Sequence, residues 1–332
     1  MARLSYACQS VWRLGTAALG LLFTTPVYAD DPLPACTLHA STDVQNFMNG
    51  EIGLPVFDHG LVTHENLAEV CFDRFCALYN NITRTPIWVA EFIDADIAKE
   101  NFKREEGEAD WNHREFDESE NIRPVPDSAY TNSGWARGHM AASANFSCHT
   151  DWMGQTFTFS NAVPQWQDGF NSGVWSSLEK RVKNLALSGE RVFVFTGPVY
   201  PPRGKDKITI RESENGCDNE IVLERQKAKT AICDENDENL SAVCPAEGGV
   251  GVPVGLYKIV HLPDDGRTFA HLISNVSHTQ RKKGYVSTND YLQTWQVSIN
   301  VIEELTGLSF FPTLDLRSEI VKKAHCTQQR FR

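Results

Sequence analysis

The stretch FSNAVPQWQDGFNSGVWSSLE, Phe159 to Glu179, connects a strand-like segment to a helical pattern. The overlapping run QTFTFSNAVPQ is rich in Thr and Phe and predicts a β-strand that ends at Pro164. Beyond it, apolar residues recur at helical spacing, with Gly189 as a suitable stop: Val174, Leu178, Val182 and Leu185. The stretch therefore predicts a strand followed by an amphipathic helix.

Three polar residues of this stretch are placed for chemistry. Asn161 falls at a strand end, Asn171 at the beginning of the helix and Glu179 two turns further on. At about 100° per residue, Asn171 and Glu179 lie on roughly the same side of a helix, about 12 Å apart along its axis. A glutamate side chain leans back toward the helix start. This spacing predicts that both residues contact one metal ion, one directly and one through a water bound to the ion.

A basic triplet lies upstream, in GWARGHMAASANF, Gly134 to Phe146. It is unexpected, because the chain carries a formal net charge of -12 and so has no long-range attraction for a polyanion. A nucleic-acid substrate would therefore need a local cluster of cations or a metal. The triplet Arg137-Gly138-His139 supplies a guanidinium and an imidazole for that purpose.

Three motifs occur in a fixed order: ARGHMAAS, SNAVPQ and NSGVWSSLE. In order and spacing they resemble the DNA/RNA non-specific endonuclease family, the ββα-metal or His-Me finger nucleases that include secreted sugar-nonspecific nucleases and endonuclease G. The resemblance extends over about Ile87 to Phe311. It implies an α+β fold in which a mixed sheet core carries the ββα-metal active-site motif.

The resemblance also implies an activity and two central roles. The activity is metal-dependent hydrolysis of phosphodiester bonds in DNA and RNA, without strong sequence or sugar specificity. His139 matches the general base that deprotonates the attacking water. Asn171 matches the direct protein ligand of Mg²⁺, with Mn²⁺ or another divalent ion left open, and Glu179 matches a carboxylate that orients metal-bound water.

The remaining site residues are also carried over one by one. Arg137 matches a cation near the scissile phosphate, Arg114 matches an upstream arginine of the family site, and Asn161 matches a supporting amide. One position departs from the family pattern, because Ala136 replaces the Asp that precedes Arg-Gly-His. Two alternatives stay open: a phosphodiesterase for small nucleotides, which the acidic composition would suit, and a non-catalytic nucleic-acid-binding protein whose site decayed with the loss of this Asp.

Residues 1–29 have the features of a secretory signal. Arg3 and Arg13 supply positive charge, Gly15 to Phe23 is a short apolar run, and Val27-Tyr28-Ala29 is a small-x-small cleavage site. This segment predicts an exported protein, periplasmic or extracellular, with no membrane association. Residues 30–332 are expected to form one nuclease domain, with a core at about 87–311 and a Cys-bearing insertion at about 212–251. The oligomeric state is open, and the resemblance allows a homodimer.

Eight cysteines follow the N-terminal segment, and an even number in an exported chain predicts disulfide bonds. The short-range candidates are Cys71 with Cys76, and one pair among Cys217, Cys233 and Cys244.

Other segments fill in the sheet. TPIWVAEFI, Thr85 to Ile93, predicts the first strand of the main sheet, and RVFVFTGPVY, Arg191 to Tyr200, predicts a buried strand. GLYKIVHL and TFAHLISN predict a pair of strands. The segment Tyr291 to Phe311 has apolar residues at helical spacing and predicts a helix capped by Gly307.

Overall fold

The computed structural model describes the main body of the chain. The described residues are 52–57, 66–99, 102–103, 111, 122–123, 125, 129–202, 205–211, 220–225, 249–278, 287–312 and 314.

A six-stranded sheet lies at the centre of the molecule. Its strands, in spatial order, are β11 (Arg267–Ser274), β10 (Gly255–Leu262), β7 (Val192–Val199), β4 (Thr85–Ile93), β3 (Phe75–Asn80) and β2 (Leu67–Cys71). The predicted α+β class is confirmed, but every pairing in this sheet is antiparallel rather than mixed. Short hairpins join β2 to β3, β3 to β4 and β10 to β11, and a short hairpin can join only antiparallel strands.

The central strands are buried on both faces. β7 and β10 are buried along their whole length, which is why their sequences are almost continuously apolar. The expectation that Thr85–Ile93 is the first strand of the sheet is wrong, because β2 and β3 precede it. The expected disulfide between Cys71 and Cys76 is confirmed, and it links opposed residues of the β2–β3 hairpin.

The ββα unit packs beside this sheet. β5 (Trp135–His139) pairs antiparallel with β6 (Ala162–Trp166), and α3 (Ser176–Leu187) follows. The strand expected to end at Pro164 begins later than predicted, because residues 159–161 form a 3₁₀ turn. It then continues through Pro164 to Trp166. Two short helices, α1 (Ala95–Ala98) and α2 (Thr150–Gln155), flank the unit.

The predicted C-terminal helix is two helices, α4 (Thr288–Gln293) and α5 (Ile299–Thr306). The backbone between them pairs with the edge strand β11: the N–H of Leu272 donates to the carbonyl of Trp295 at 2.9 Å, and Val297 donates to Ala270 at 3.0 Å. A helix cannot continue through residues that bond to a strand. Gly307 ends α5 in the left-handed region, as predicted, with φ 68°.

Two small antiparallel pairs complete the described structure. β1 (Val56–Phe57) pairs with β12 (Leu308–Ser309), and β8 (Lys207–Ile210) pairs with β9 (Ile221–Glu224). β9 lies inside the expected insertion at 212–251, so part of that segment extends a hairpin. Residues 212–219 and 226–248 of the segment, with its three cysteines, are outside the described part, as are residues 1–29. In the described part, no helix is long and apolar enough to cross a membrane.

Candidate active site

Four of the predicted site residues, Arg137, His139, Asn171 and Glu179, meet at one cavity of about 550 Å³. Its walls come from β5, from the turn that precedes α3, and from α3 itself. The lining residues include Ala136, Arg137, His139, Asn171 and Glu179. The two halves of the motif are therefore brought together as the sequence predicts.

β5 places Arg137 and His139 at this cavity. The two residues are two positions apart, so they lie on the same side of the strand. Gly138 lies between them, and a Cβ atom there would be 2.0 Å from Cδ of Gln165 on β6. The glycine is thus required by the close packing of Gln165 across the strand pair.

Aromatic rings enclose the imidazole of His139. The ring of Phe157 meets it edge-on at 4.7 Å between centroids, and the ring of Trp111 lies at the same distance with a tilt of 42°. These contacts limit the rotation of the imidazole, while His139 keeps part of its surface at the cavity. A general base needs such a fixed direction toward the atom that it deprotonates.

Asn161 does not line the cavity. It is fully buried, and its side-chain oxygen accepts a hydrogen bond from the N–H of Ala141 at 2.8 Å. Its amide nitrogen donates to the carbonyls of Ala141 at 3.0 Å and Thr156 at 2.9 Å. Asn161 therefore acts through the backbone that follows His139. Its role as the supporting amide that the resemblance implies stays a prediction.

The turn before α3 carries Asn171. Residues 167–175 form a π-helical turn with non-helical backbone at Asp168 and Gly169, where Gly169 has φ 82°. The wide turn differs from the α-helix predicted for this segment. The amide nitrogen of Asn171 donates to Oε1 of Gln167 at 3.0 Å, which leaves its carbonyl oxygen as the group able to bind a cation.

Glu179 lies in the first turn of α3, on the wall that it shares with Asn171. Burial raises the pKa of its carboxyl from 4.5 to about 7; the charge of Lys258 opposes this rise and that of Glu91 adds to it. A nearby divalent cation would favour the ionised carboxylate.

Arg137 is the cavity's guanidinium. Its Nε is buried and has no hydrogen-bond partner among the described residues. Its Cζ lies 5.5 Å from the ring centroid of Phe159 and 5.7 Å from that of Tyr130, so aromatic rings support the side chain. In the described part of the chain no carboxylate forms a salt bridge with it, which leaves its charge for an anionic ligand. Arg114, the other predicted arginine, lies outside the described residues.

Ala136 opens onto the same cavity and is opposed by Gln165 on β6. The position that carries an Asp in the family pattern thus lines the cavity, and the alanine contributes no charge there.

Sequence reasoning missed several lining residues: Trp111, Tyr130, Thr131, Trp135, Ser143, Gln167 and Ser176. Trp111 could have been noticed, because it is the one tryptophan in the charged stretch Lys99 to Pro126. Neither Glu91 nor Lys258 was singled out, although a charged residue within an apolar strand is itself a signal.

Comparison with known proteins identifies the family. The family model described as DNA/RNA non-specific endonuclease matches residues 53–316. The chain belongs to this family. The prediction of the family from the three motifs is therefore confirmed, and membership supports the predicted class of enzyme, an endonuclease.

Individual relatives agree with the family. The chain is 30% identical over 261 residues to the human protein "Nuclease EXOG, mitochondrial", which covers 75% of this chain and 58% of that protein. It is 28% identical over 252 residues to Nuclease C1 of Cunninghamella echinulata var. echinulata, covering 74% of this chain and 82% of the relative. The chain thus spans little more than half of the human nuclease.

A solved structure of an EndoG/EndoGI complex shares the fold. The match has a TM-score of 0.56 at 23% sequence identity and covers 80% of this chain and 90% of that chain.

The expected export is contradicted by these comparisons. Similar proteins from human, mouse and Saccharomyces cerevisiae are named as mitochondrial nucleases, and none of these names indicates secretion. Residues 1–29 contain no Asp or Glu and carry Arg3 and Arg13. Mitochondrial targeting segments are also cationic and poor in acidic residues. The features used to predict a secretory signal therefore did not discriminate between the two destinations.

Family membership implies a divalent metal ion, and the donors at the cavity fit one. An amide oxygen on Asn171 and a carboxyl on Glu179 share one wall, and both are oxygen ligands of the kind that hard divalent cations prefer.

Proposed function

We propose that the protein is a divalent-metal-dependent endonuclease that hydrolyses phosphodiester bonds in DNA and RNA. The observation that carries the proposal is the cavity lined by both parts of the site. His139 and Arg137 reach it from β5, Asn171 from the turn before α3, and Glu179 from α3. These residues supply a base, a cation and a pair of oxygen donors within one space, which is the set of groups that hydrolysis of a phosphodiester needs.

His139 acts as the general base. Its imidazole takes a proton from a water molecule as the water oxygen attacks phosphorus, and the bond from phosphorus to the leaving oxygen then breaks. The rings of Phe157 and Trp111 hold the imidazole in one direction during this transfer. Asn161 supports the same geometry, because it fixes the backbone of Ala141, two residues after His139.

Arg137 binds the phosphate. A guanidinium can donate two parallel hydrogen bonds to phosphate oxygens, which gives orientation as well as attraction. This contact is important here because the chain as a whole is acidic and cannot attract a polyanion over a distance.

Asn171 would hold the metal ion directly, and Glu179 would orient water bound to it. We propose Mg²⁺ as the ion, since a single amide ligand with several retained waters suits an ion that dehydrates reluctantly. When bound, the ion would stabilise negative charge on the phosphate and on the leaving oxygen.

In the proposed mechanism the site residues recognise the phosphate and do not distinguish between bases or between sugars. Arg137 and the metal ligands recognise a group common to DNA and RNA, and recognition of sequence or of a 2′-hydroxyl would need further contacts. Activity on both polymers follows from this arrangement.

The test is cleavage of plasmid DNA and of total RNA by the purified protein, with Mg²⁺ and with excess chelator. We expect both polymers to be cut at internal positions and the chelator to stop both reactions. Cleavage of a small nucleotide ester without cleavage of either polymer would replace the proposal with a small-substrate phosphodiesterase. A folded protein that binds the polymers but cuts none of these substrates with any divalent ion would favour a decayed site.

A further inference from the structure

Two opposite charges are buried beneath the active site, on the central strands of the sheet. Lys258 on β10 and Glu91 on β4 each have side chains that are 1% exposed, and Nζ of Lys258 lies 3.9 Å from Oε1 of Glu91. Removing two charges from water is costly, and apolar residues of similar volume are often as stabilising as a buried pair. Stability alone therefore does not account for this pair.

The contacts of the ammonium group point to the active site. Nζ of Lys258 donates to Oγ1 of Thr196 on β7 at 2.6 Å and to the carbonyl oxygen of Met140 at 3.3 Å. Met140 is the residue that follows His139. The same Nζ lies 5.1 Å from the ring centroid of Trp175, the last residue of the π-helical turn that carries Asn171.

Glu91 connects the pair to the next part of the same loop. Its Oε2 accepts a hydrogen bond from the amide nitrogen of Asn145 at 3.0 Å. Asn145 is fully buried and lies in the 3₁₀ turn Ser143–Phe146, whose first residue lines the cavity. The pair thus holds the chain after His139 at two points, Met140 and Asn145.

We infer that Lys258, paired with Glu91, is a positioning residue that sets the distance between two arms of the active site. The first arm, residues 135–146, carries His139, and the second arm, residues 167–175, carries Asn171. The inference deepens the proposed function and rests on it for the roles of His139 and Asn171. The ammonium group of Lys258 contacts Met140 in the first arm, the ring of Trp175 in the second arm, and Thr196 of the central sheet. Movement of either arm would have to break a contact of a buried charge, which is energetically costly.

The test removes both charges together, so that neither is left buried alone. In the double variant Glu91→Gln/Lys258→Met, glutamine can still accept the hydrogen bond from Asn145, and methionine has nearly the length of lysine. We expect the variant to fold with a thermal midpoint close to that of the wild type. We expect kcat to fall about 100-fold with KM unchanged, because a small misplacement of a catalytic group has an effect of that order.

A second readout does not depend on activity. With ¹³C-labelled histidine, the ring signal of His139 is identified as the one missing from His139→Ala. In the double variant we expect this signal to shift or broaden, because the peptide after His139 has lost its anchor. A matched control is the pair His261→Leu/Thr268→Val, which removes a buried hydrogen bond of 2.8 Å elsewhere in the same sheet. It should lower the thermal midpoint but leave both kcat and the His139 signal unchanged.

A milder pair of variants covers the case in which the double variant does not fold. Thr196→Val removes the 2.6 Å hydrogen bond to Lys258, and Thr196→Ser keeps it. We expect Thr196→Val to lower kcat and perturb the His139 signal, and Thr196→Ser to resemble the wild type.

The result that overturns the inference is a folded double variant, or a Thr196→Val variant, with wild-type kcat and an unchanged His139 signal. An inactive wild type would instead contradict the proposed function. The His139 signal would then still decide whether Lys258 positions that ring.

Discussion

The side chain of Asn161 is hydrogen bonded to both polar groups of the Ala141 backbone, accepting from the N–H at 2.8 Å and donating to the carbonyl at 3.0 Å. The backbone carbonyl of Asn161 also accepts from the N–H of Met140 at 3.0 Å. One buried residue thus fixes two consecutive residues after the proposed general base, His139.

Replacing Asn161 with aspartate should therefore damage both stability and catalysis. The carboxylate would face the carbonyls of Ala141 and Thr156 without a proton to donate. We expect the free energy of unfolding to fall by about 3 kcal/mol, since each buried group left unsatisfied costs about 1–3 kcal/mol. Urea denaturation measures this, and Asn184→Asp, the same change at an exposed helix position, should have little effect. Equal effects of the two variants would contradict this account of Asn161.

Asn171→Ala should weaken binding of the metal ion. The variant loses the amide oxygen that would bind Mg²⁺, whereas Asn171→Asp keeps an oxygen donor. Isothermal titration with Mg²⁺ should show the binding heat reduced or lost for Asn171→Ala and retained for Asn171→Asp. Wild-type affinity in Asn171→Ala would place the ion elsewhere.

Ala136→Asp should strengthen the metal site. Position 136 lines the cavity that contains Asn171 and Glu179, so the new carboxylate would add negative charge beside the ion. We expect the Mg²⁺ concentration for half-maximal activity to fall about tenfold, an effect typical of groups that support metal ligands. An unchanged Mg²⁺ requirement would show that this position does not act on the metal.

His271 should make the protein less stable in mild acid. Burial, together with the nearby charge of Arg181, lowers the pKa of its imidazole from 6.5 to about 3. The unfolded chain therefore binds a proton between these two pH values while the folded protein does not. The stability contributed by the neutral imidazole is complete above pH 6.5 and is lost as pH falls toward 3.

The expected loss at pH 5 relative to pH 7.5 is about 2 kcal/mol from this residue. The measurement is the free energy of unfolding at both pH values for the wild type and for His271→Gln. The difference between the two pH values should be smaller in the variant by that amount. An equal pH dependence in both proteins would show that His271 does not titrate as described.

Much of the site could be predicted from the sequence because its residues lie on local elements. Arg137 and His139 share one strand, and Asn171 and Glu179 lie eight positions apart, in the turn before α3 and in its first turn. Short-range periodicity is enough to place Arg137 and His139 on one side of their strand. The motif order and the family resemblance then placed the two pairs together.

Other features depend on contacts that the sequence does not display. The kink before Asn171, where Gly169 has a positive φ, is not revealed by a helical apolar pattern. The break between α4 and α5 results from pairing with β11, a tertiary interaction that overrides helical spacing. The Lys258–Glu91 pair joins strands far apart in the chain, so only the sheet order brings the two charges together.

The most direct test of the central claim is the rate of plasmid DNA cleavage by His139→Ala beside that by His149→Ala. His149 is an exposed histidine at the start of α2, outside the cavity, and serves as the matched control. We expect His149→Ala to cut DNA at the wild-type rate. We expect His139→Ala to lose cleavage by a factor of at least about 100, the lower range for general-base catalysis, while its fold and Mg²⁺ binding remain intact. Wild-type cleavage by His139→Ala would contradict the assignment of His139 as the general base.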